Sequence, residues 1–194
     1  MLIVNFLKNI KKEFKNYQFT GLSFNSEDCK KDYIFFAIKG TKSDGSKFID
    51  HAIKKGATVI ISEQKFEGIK NKVLFLRSKN VRKVLSELSY KIKKNIPENL
   101  IAVTGTNGKS SIADFYFQLL NLSNKKVASI GTLGIRTKNN LKKASNTTLD
   151  PIGLSKILND LKKQRIENVI LEASSPVSYT HLRAHETDSY LVCR

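Results

Sequence analysis

The chain has 194 residues, 40% of them apolar, with 34 Lys and Arg against 17 Asp and Glu, a formal net charge of +17 at neutral pH. That length allows one or two domains with ordinary packed cores. No apolar run approaches the roughly 20 residues that cross a bilayer, the opening MLIVNFLKNIKKEFKN has the wrong charge layout for a signal peptide, and Cys29 and Cys193 form no metal-ligand spacing, so a soluble cytoplasmic protein with no membrane insertion is expected.

Nucleic acid is the partner that such an excess of positive charge first suggests. The lysines, however, come as separate pairs such as Lys11-Lys12, Lys54-Lys55 and Lys162-Lys163, with no aromatic interleaving to stack bases. A solvated lysine-rich surface, not a nucleic-acid face, is the expectation.

In chain order, residues 1–97 read as a small mixed α/β domain. The spacing predicts a helix from about residue 2 to residue 15, then short strands near 19–24 and 33–38. Ser46 could cap a helix with Ile49, Ala52 and Ile53 on its apolar face, ending at Lys54-Lys55-Gly56. Residues 58–62 (TVIIS) and 72–76 (KVLFL) are β-rich. A helix over 80–94 carries Val81, Val84, Leu85, Leu88 and Ile92 at helical spacing and stops before Pro97, the expected hinge.

Residues 98–175 then alternate strand and helix. The apolar run 100–103 leads into Thr104-Gly105-Thr106-Asn107-Gly108-Lys109-Ser110, and a helix follows with Ile112, Phe115, Tyr116, Leu119 and Leu120 at i, i+3, i+4, i+7, i+8 spacing. Residues 126–130 (KVASI) make a strand ending at Gly131. Asp150-Pro151 opens a helix by the N-cap and N1 rule, with Leu154, Ile157, Leu158 and Leu161 inward, and 168–173 (NVILEA) is a buried-type strand. The alternation implies a parallel sheet with crossover helices, whose ligands gather at the carboxyl ends of the strands. Gly105, Gly131 and Glu172 all fall at such ends.

The chemistry of the glycine loop is phosphate binding. Two glycines remove the Cβ atoms that would hold a polyanion off, so successive backbone N–H groups converge on it, and the following helix adds the positive end of its dipole. Gly105 through Ser111 would hold a nucleotide, Lys109 reaching its terminal phosphates and the Ser110 hydroxyl sitting on the magnesium that bridges them. The usual P-loop pattern wants one more glycine where Val103 stands, so the match is to a shorter form, G-x-x-G-K-S. Glu172 is the acidic candidate: a carboxylate ending an apolar strand is costly to bury unless something such as magnesium pairs with it, the alternative being a strand-end charge turned to solvent.

The wording of the loop, TGTNGKSS, resembles the ATP-binding signature of the Mur ligases and of their relatives, the folylpolyglutamate synthetases, which join an amine to a carboxylate through an acyl phosphate. Ile130 to Gly134 (IGTLG), Asn146 to Pro151 (NTTLDP) and Leu171 to Ser175 (LEASS) are similar to segments of the Mur ligases that add the third stem-peptide residue to UDP-N-acetylmuramoyl-L-alanyl-D-glutamate. Phe24 to Glu27 (FNSE) occupies the place of the family's L-D-S-R turn and Gly40 to Gly45 that of its G-x-x-x-D-G loop, so residues 1–97 resemble the family's uridine-binding domain. The resemblance implies ATP and Mg2+, a catalytic Lys109 and Glu172, and Ser110 with Glu172 as metal ligands. It also implies substrate contacts at Phe24, Ser26, Thr41, Lys42, Ser43, Asn146, Thr147, Thr148 and Ser174. Partners would be the UDP-muramoyl dipeptide and an amino acid, L-lysine or meso-diaminopimelate, in peptidoglycan synthesis, with the protein a monomer. Two departures stand out: Asn25 and Glu27 replace Asp and Arg, so any contact made through that arginine is lost or reversed in sign. Ser26 also reads as a plain turn serine, and both readings stay open.

The resemblance ends at Ser175. Residues 176–194 contain no lysine, hold His181, His185 and Cys193, and resemble translated sequencing-adapter read-through. The tail is expected to be non-native, with His181, His185, Glu186 and Cys193 not forming a metal site. The resulting fold expectation is α/β: a mixed N-terminal domain, then a parallel-sheet P-loop nucleotide-binding domain, 98–175, truncated relative to the family and for that reason inactive by itself.

Overall fold

Apolar runs without polar alternation, IFF at 34–36 and VII at 59–61, suit strands covered on both faces, and both lie inside a parallel sheet. The computed structural model describes residues 1–7, 10–40, 43–93, 95–142, 150–173 and 191–192. It divides into two compact units, Met1–Ile92 and Lys93–Arg194, each with its own sheet.

In the first unit, strands β1 (Gly21–Ser23), β2 (Tyr33–Phe36), β3 (Ala57–Ser62), β4 (Gly68–Lys70) and β5 (Val73–Arg77) lie in the order β1-β2-β3-β5-β4. Only β4 runs antiparallel to its neighbour. Helix α1 (Ile49–Lys54) inserts Ala52 among Phe35, Ala57 and Ile60, and α2 (Val81–Ile92) buries Val81, Leu85 and Leu88 as the spacing predicts.

Two local expectations fail here. The helix predicted over 2–15 is instead a pair of 3-10 turns, Ile3–Asn5 and Lys12–Phe14, joined through an antiparallel bridge between Leu2 and Gln18. Met1 and Phe19 exchange backbone hydrogen bonds beside that bridge, Ile3 N donates to Tyr17 O, and Ile3, Phe14 and Phe19 are all buried. Tertiary burial of these three overrides the helical spacing. The cap near residue 46 is also displaced: Asp44 accepts from the Ser46 backbone N–H at 2.9 Å and starts a 3-10 turn, Gly45–Phe48, that runs into α1.

The second unit contains β6 (Asn99–Thr104), α3 (Lys109–Leu122), β7 (Val127–Gly131), β8 (Gly134–Thr137), β9 (Asn140–Lys142), α4 (Pro151–Lys163), β10 (Asn168–Ala173) and β11 (Leu191–Val192). The strand order is β11-β6-β10-β7-β8-β9, with β11, β6, β10 and β7 mutually parallel and the β7-β8-β9 meander antiparallel. The chain therefore leaves a gap between β6 and β7 and fills it last, with β10, whose two neighbours pair it in register from Asn168. β10 is thus central in the sheet, and Leu191–Val192 lies along β6 beside Ala102 and Val103. The rest of the tail, with His181, His185, Glu186 and Cys193, lies outside the described residues.

Asp150 caps α4 as predicted, its Oδ1 accepting from Gly153 N at 2.8 Å with Pro151 at N1, and Leu154, Leu158 and Leu161 are buried. Helix α3 turns differently from its apolar spacing. Ala113 and Phe117 are its buried residues and Tyr116 packs beside Val103 and Ile170, while Ile112, Phe115, Leu119 and Leu122 are exposed. Among the described residues no helix is long and apolar enough to cross a membrane.

Candidate nucleotide and uridine sites

In the second unit, β6 runs into the loop 105–108 and α3 begins at Lys109. Gly108 is the N-cap of α3 at φ +79°, a left-handed conformation that side-chain-bearing residues rarely adopt, and a Cβ there would meet only open space. Backbone conformation, not crowding, thus calls for glycine. The first turn of α3 carries no acidic residue, so its free N–H groups and dipole keep their affinity for an anion. Lys109 Nζ donates to the Gly105 carbonyl at 2.6 Å and to Thr106 O at 3.3 Å, which folds the ammonium back over its own loop. Thr106, Asn107, Ser110 and Ser111 are exposed around it.

Glu172 lies next to this loop. Its neighbour in register is Val103, one residue before the end of β6, and on its other side stands the end of β7. Ser110 Oγ donates to Glu172 Oε2 at 2.9 Å, and Thr132 Oγ1 donates to the same oxygen at 3.0 Å. A Cβ on Gly131 would overlap Glu172 Oε1 and Cδ and stand 2.7 Å from Cγ, so the carboxylate rests in space that only a glycine leaves open. The sequence placed Ser110 and Glu172 in one role, and they do meet. It did not name Thr132 or the close approach over Gly131, although both sit in the IGTLG segment and Gly131 was read as a strand end.

The donor set fits magnesium. Hydroxyl and carboxylate are hard oxygen ligands, and among the described residues no three His, Cys, Asp or Glu side chains are grouped around an ion. A cation here would rest on Glu172, Ser110, phosphate oxygens and water, as suits an ion that keeps several waters. Asn146, Thr147, Thr148 and Ser174 lie outside the described residues.

The first unit holds an open cleft of about 750 Å³ lined by Phe24, Ser26, Ser43, Phe48, His51 and Arg82, among others. Asn25 caps the turn Ser26–Asp28, its Oδ1 accepting from Glu27 N at 3.1 Å, and its Nδ2 donates to Asp28 at 3.0 Å. Ser26 is buried, with its Oγ 3.0 Å from His51 Nδ1. Glu27, where the family pattern has Arg, faces the Lys55 ammonium at 3.3 Å and the His51 Nε2 at 3.8 Å. Arg82 reaches the same cleft from α2, donating to Lys39 O at 3.1 Å. Thr41 and Lys42 lie outside the described residues. His51 and Arg82 were not among the sequence candidates, since no local pattern links them to residue 26. Cys29 is a packing residue: it is buried, its thiol donates to Asn25 O, and burial pushes its pKa above the usual thiol value.

Residues 18–93 match the family model described as Mur ligase family, catalytic domain, and residues 103–188 match that of the Mur ligase middle domain. The chain belongs to the Mur ligase family. The middle-domain match runs past Ser175, where the segment-by-segment resemblance stops. Among curated relatives, the UDP-N-acetylmuramoyl-L-alanyl-D-glutamate--2,6-diaminopimelate ligase of Rickettsia prowazekii (strain Madrid E) is 40% identical over 171 residues, covering 86% of this Mur ligase chain and 35% of the relative. The ligase of the same name from Zymomonas mobilis is 37% identical over 163 residues, covering 83% of the chain and 33% of the relative. This chain thus spans about a third of the length of the curated relatives it matches. Among solved structures, a UDP-N-acetylmuramoyl-L-alanyl-D-glutamate--2,6-diaminopimelate ligase superposes with a TM-score of 0.74 at 29% identity, over 91% of this chain and 36% of that one. The MurF ligase from Thermotoga maritima in complex with ADP shares the fold, with a TM-score of 0.55 at 24% identity over 84% of this chain and 35% of that one.

Proposed function

We propose that this chain carries the uridine-nucleotide and ATP modules of a cytoplasmic carboxylate-amine ligase that extends UDP-N-acetylmuramoyl-L-alanyl-D-glutamate by its third stem-peptide amino acid. The observation that carries the reading is the meeting of Ser110 and Glu172 beside the 105–108 loop. The names of the relatives favour 2,6-diaminopimelate over L-lysine as the added residue.

In this reading the loop amides and the α3 N-terminus hold the phosphates of ATP. Lys109 swings from the Gly105 carbonyl onto the terminal phosphate, where its charge offsets what develops on the transferring group. Ser110 and Glu172 would hold magnesium, which supplies charge neutralisation between the phosphates. The substrate carboxylate takes the terminal phosphoryl group and ADP leaves; the amine then attacks that acyl carbon, phosphate leaves, and an amide forms. The cleft at Phe24, Ser26 and His51 holds the uridine end, with Arg82 near enough to the cleft to meet a phosphate.

The test is binding. Calorimetry should show magnesium-dependent ATP binding that Lys109→Ala removes, and binding of UDP-muramoyl dipeptide in preference to folate. Folate binding without UDP affinity would overturn the uridine reading, and ATP affinity indifferent to Lys109→Ala would overturn the loop assignment.

A further inference from the structure

Resting on the nucleotide reading above, we infer that Thr132 is a positioning residue that orients Glu172 toward the cation. Two hydroxyls, those of Ser110 and Thr132, donate to one carboxylate oxygen, Oε2, at 2.9 and 3.0 Å. They come from separate elements, the first turn of α3 and the turn between β7 and β8.

The two hydrogen bonds have different duties when a cation enters. A hydroxyl keeps two lone pairs beside its proton, so Ser110 can ligate the cation with or without its bond to Glu172, and its oxygen must follow the metal. Thr132 carries no such duty. Its hydrogen bond remains, and Glu172 keeps its orientation through Thr132 and through the clearance over Gly131. Partners of this kind, one step removed from the metal, typically alter metal affinity about ten- to a hundredfold when removed. Thr132 is exposed and makes its contact from a turn, so its hydroxyl is not needed to fill the core.

The experiment uses the full chain and a fluorescent ATP analogue, titrated with Mg2+ at fixed nucleotide. Thr132→Val is nearly isosteric and lacks the hydroxyl; Thr132→Ser retains it. The expected result is that Thr132→Val raises the Mg2+ concentration at half-saturation by about tenfold, leaves nucleotide affinity in EDTA and the thermal unfolding midpoint unchanged, and is matched by near wild-type behaviour in Thr132→Ser. Unchanged Mg2+ dependence in Thr132→Val, with wild-type binding intact, would overturn this inference alone. Equal weakening in both variants would also overturn it, by assigning the effect to the turn and not to the hydroxyl. Absence of Mg2+-dependent binding in the wild-type chain would overturn the nucleotide reading and this inference with it.

Discussion

The two candidate sites are built on different plans. The candidate phosphate site of the second unit is largely one continuous stretch, 105–111, to which β10 delivers a single remote carboxylate through strand register. The cleft of the first unit is gathered from four places: the turn at 24–27, the stretch after β2 with Ile38, Ser43 and Phe48, α1 with His51, and α2 with Arg82. A site made of one stretch depends on local backbone conformation, whereas a gathered site depends on the packing that brings its pieces together.

That contrast can be broken by substitution. The largest effect should come from the packing side: Leu88→Ala, at a fully buried position of α2, should cost about 2–5 kcal/mol and lower the denaturant midpoint. A wild-type midpoint would show that the cleft does not depend on α2 as argued. Next comes Gly131→Ala. Because the clash is with the end of a side chain, Glu172 should move and the fold should stay. Mg2+-dependent nucleotide binding should fall by about a hundredfold with little change in thermal unfolding; intact binding would show that the carboxylate position is immaterial. His51→Ala, which frees the Ser26 hydroxyl, should weaken UDP binding by about tenfold, near 1.4 kcal/mol, and leave ATP binding alone, as calorimetry can check.

The smallest effect is acid dependence in the first unit. Asp44 has its pKa lowered, chiefly by the hydrogen bond from the Ser46 backbone N–H. A depressed folded-state value means that its contribution is present above the unfolded pKa and is lost as pH falls through the folded one. Asp44→Asn should therefore flatten the acid limb of a stability-pH curve for this unit, and an unchanged limb would assign acid sensitivity elsewhere.

Much of the fold was legible because its strands are runs of β-branched and apolar residues and its α4 start carries an explicit cap, Asp150-Pro151. The β8-β9 meander was missed because IRTKNNLK alternates poorly and its strands are short. The helix expected at 2–15 failed because Ile3 and Phe14 serve the core from 3-10 turns instead. At the candidate phosphate site, Ser110 and Glu172 could be paired from motif and strand-end logic. Thr132 could not, since nothing local marks a turn hydroxyl as aimed at an acid 40 positions later. His51 was hidden in the same way, 25 positions from Ser26.

The late insertion of β10 has a consequence for synthesis. Asn99 and Asn168, joined side chain to side chain at 2.9 Å, are 69 positions apart, and pairing over such a span is slow to nucleate. A nascent chain that has released α3 and the β7-β8-β9 meander holds the 105–108 loop but lacks Glu172, the acid that Ser110 meets. In the proposed reading, loop and acid come together on the ribosome only once residues 168–173 have emerged.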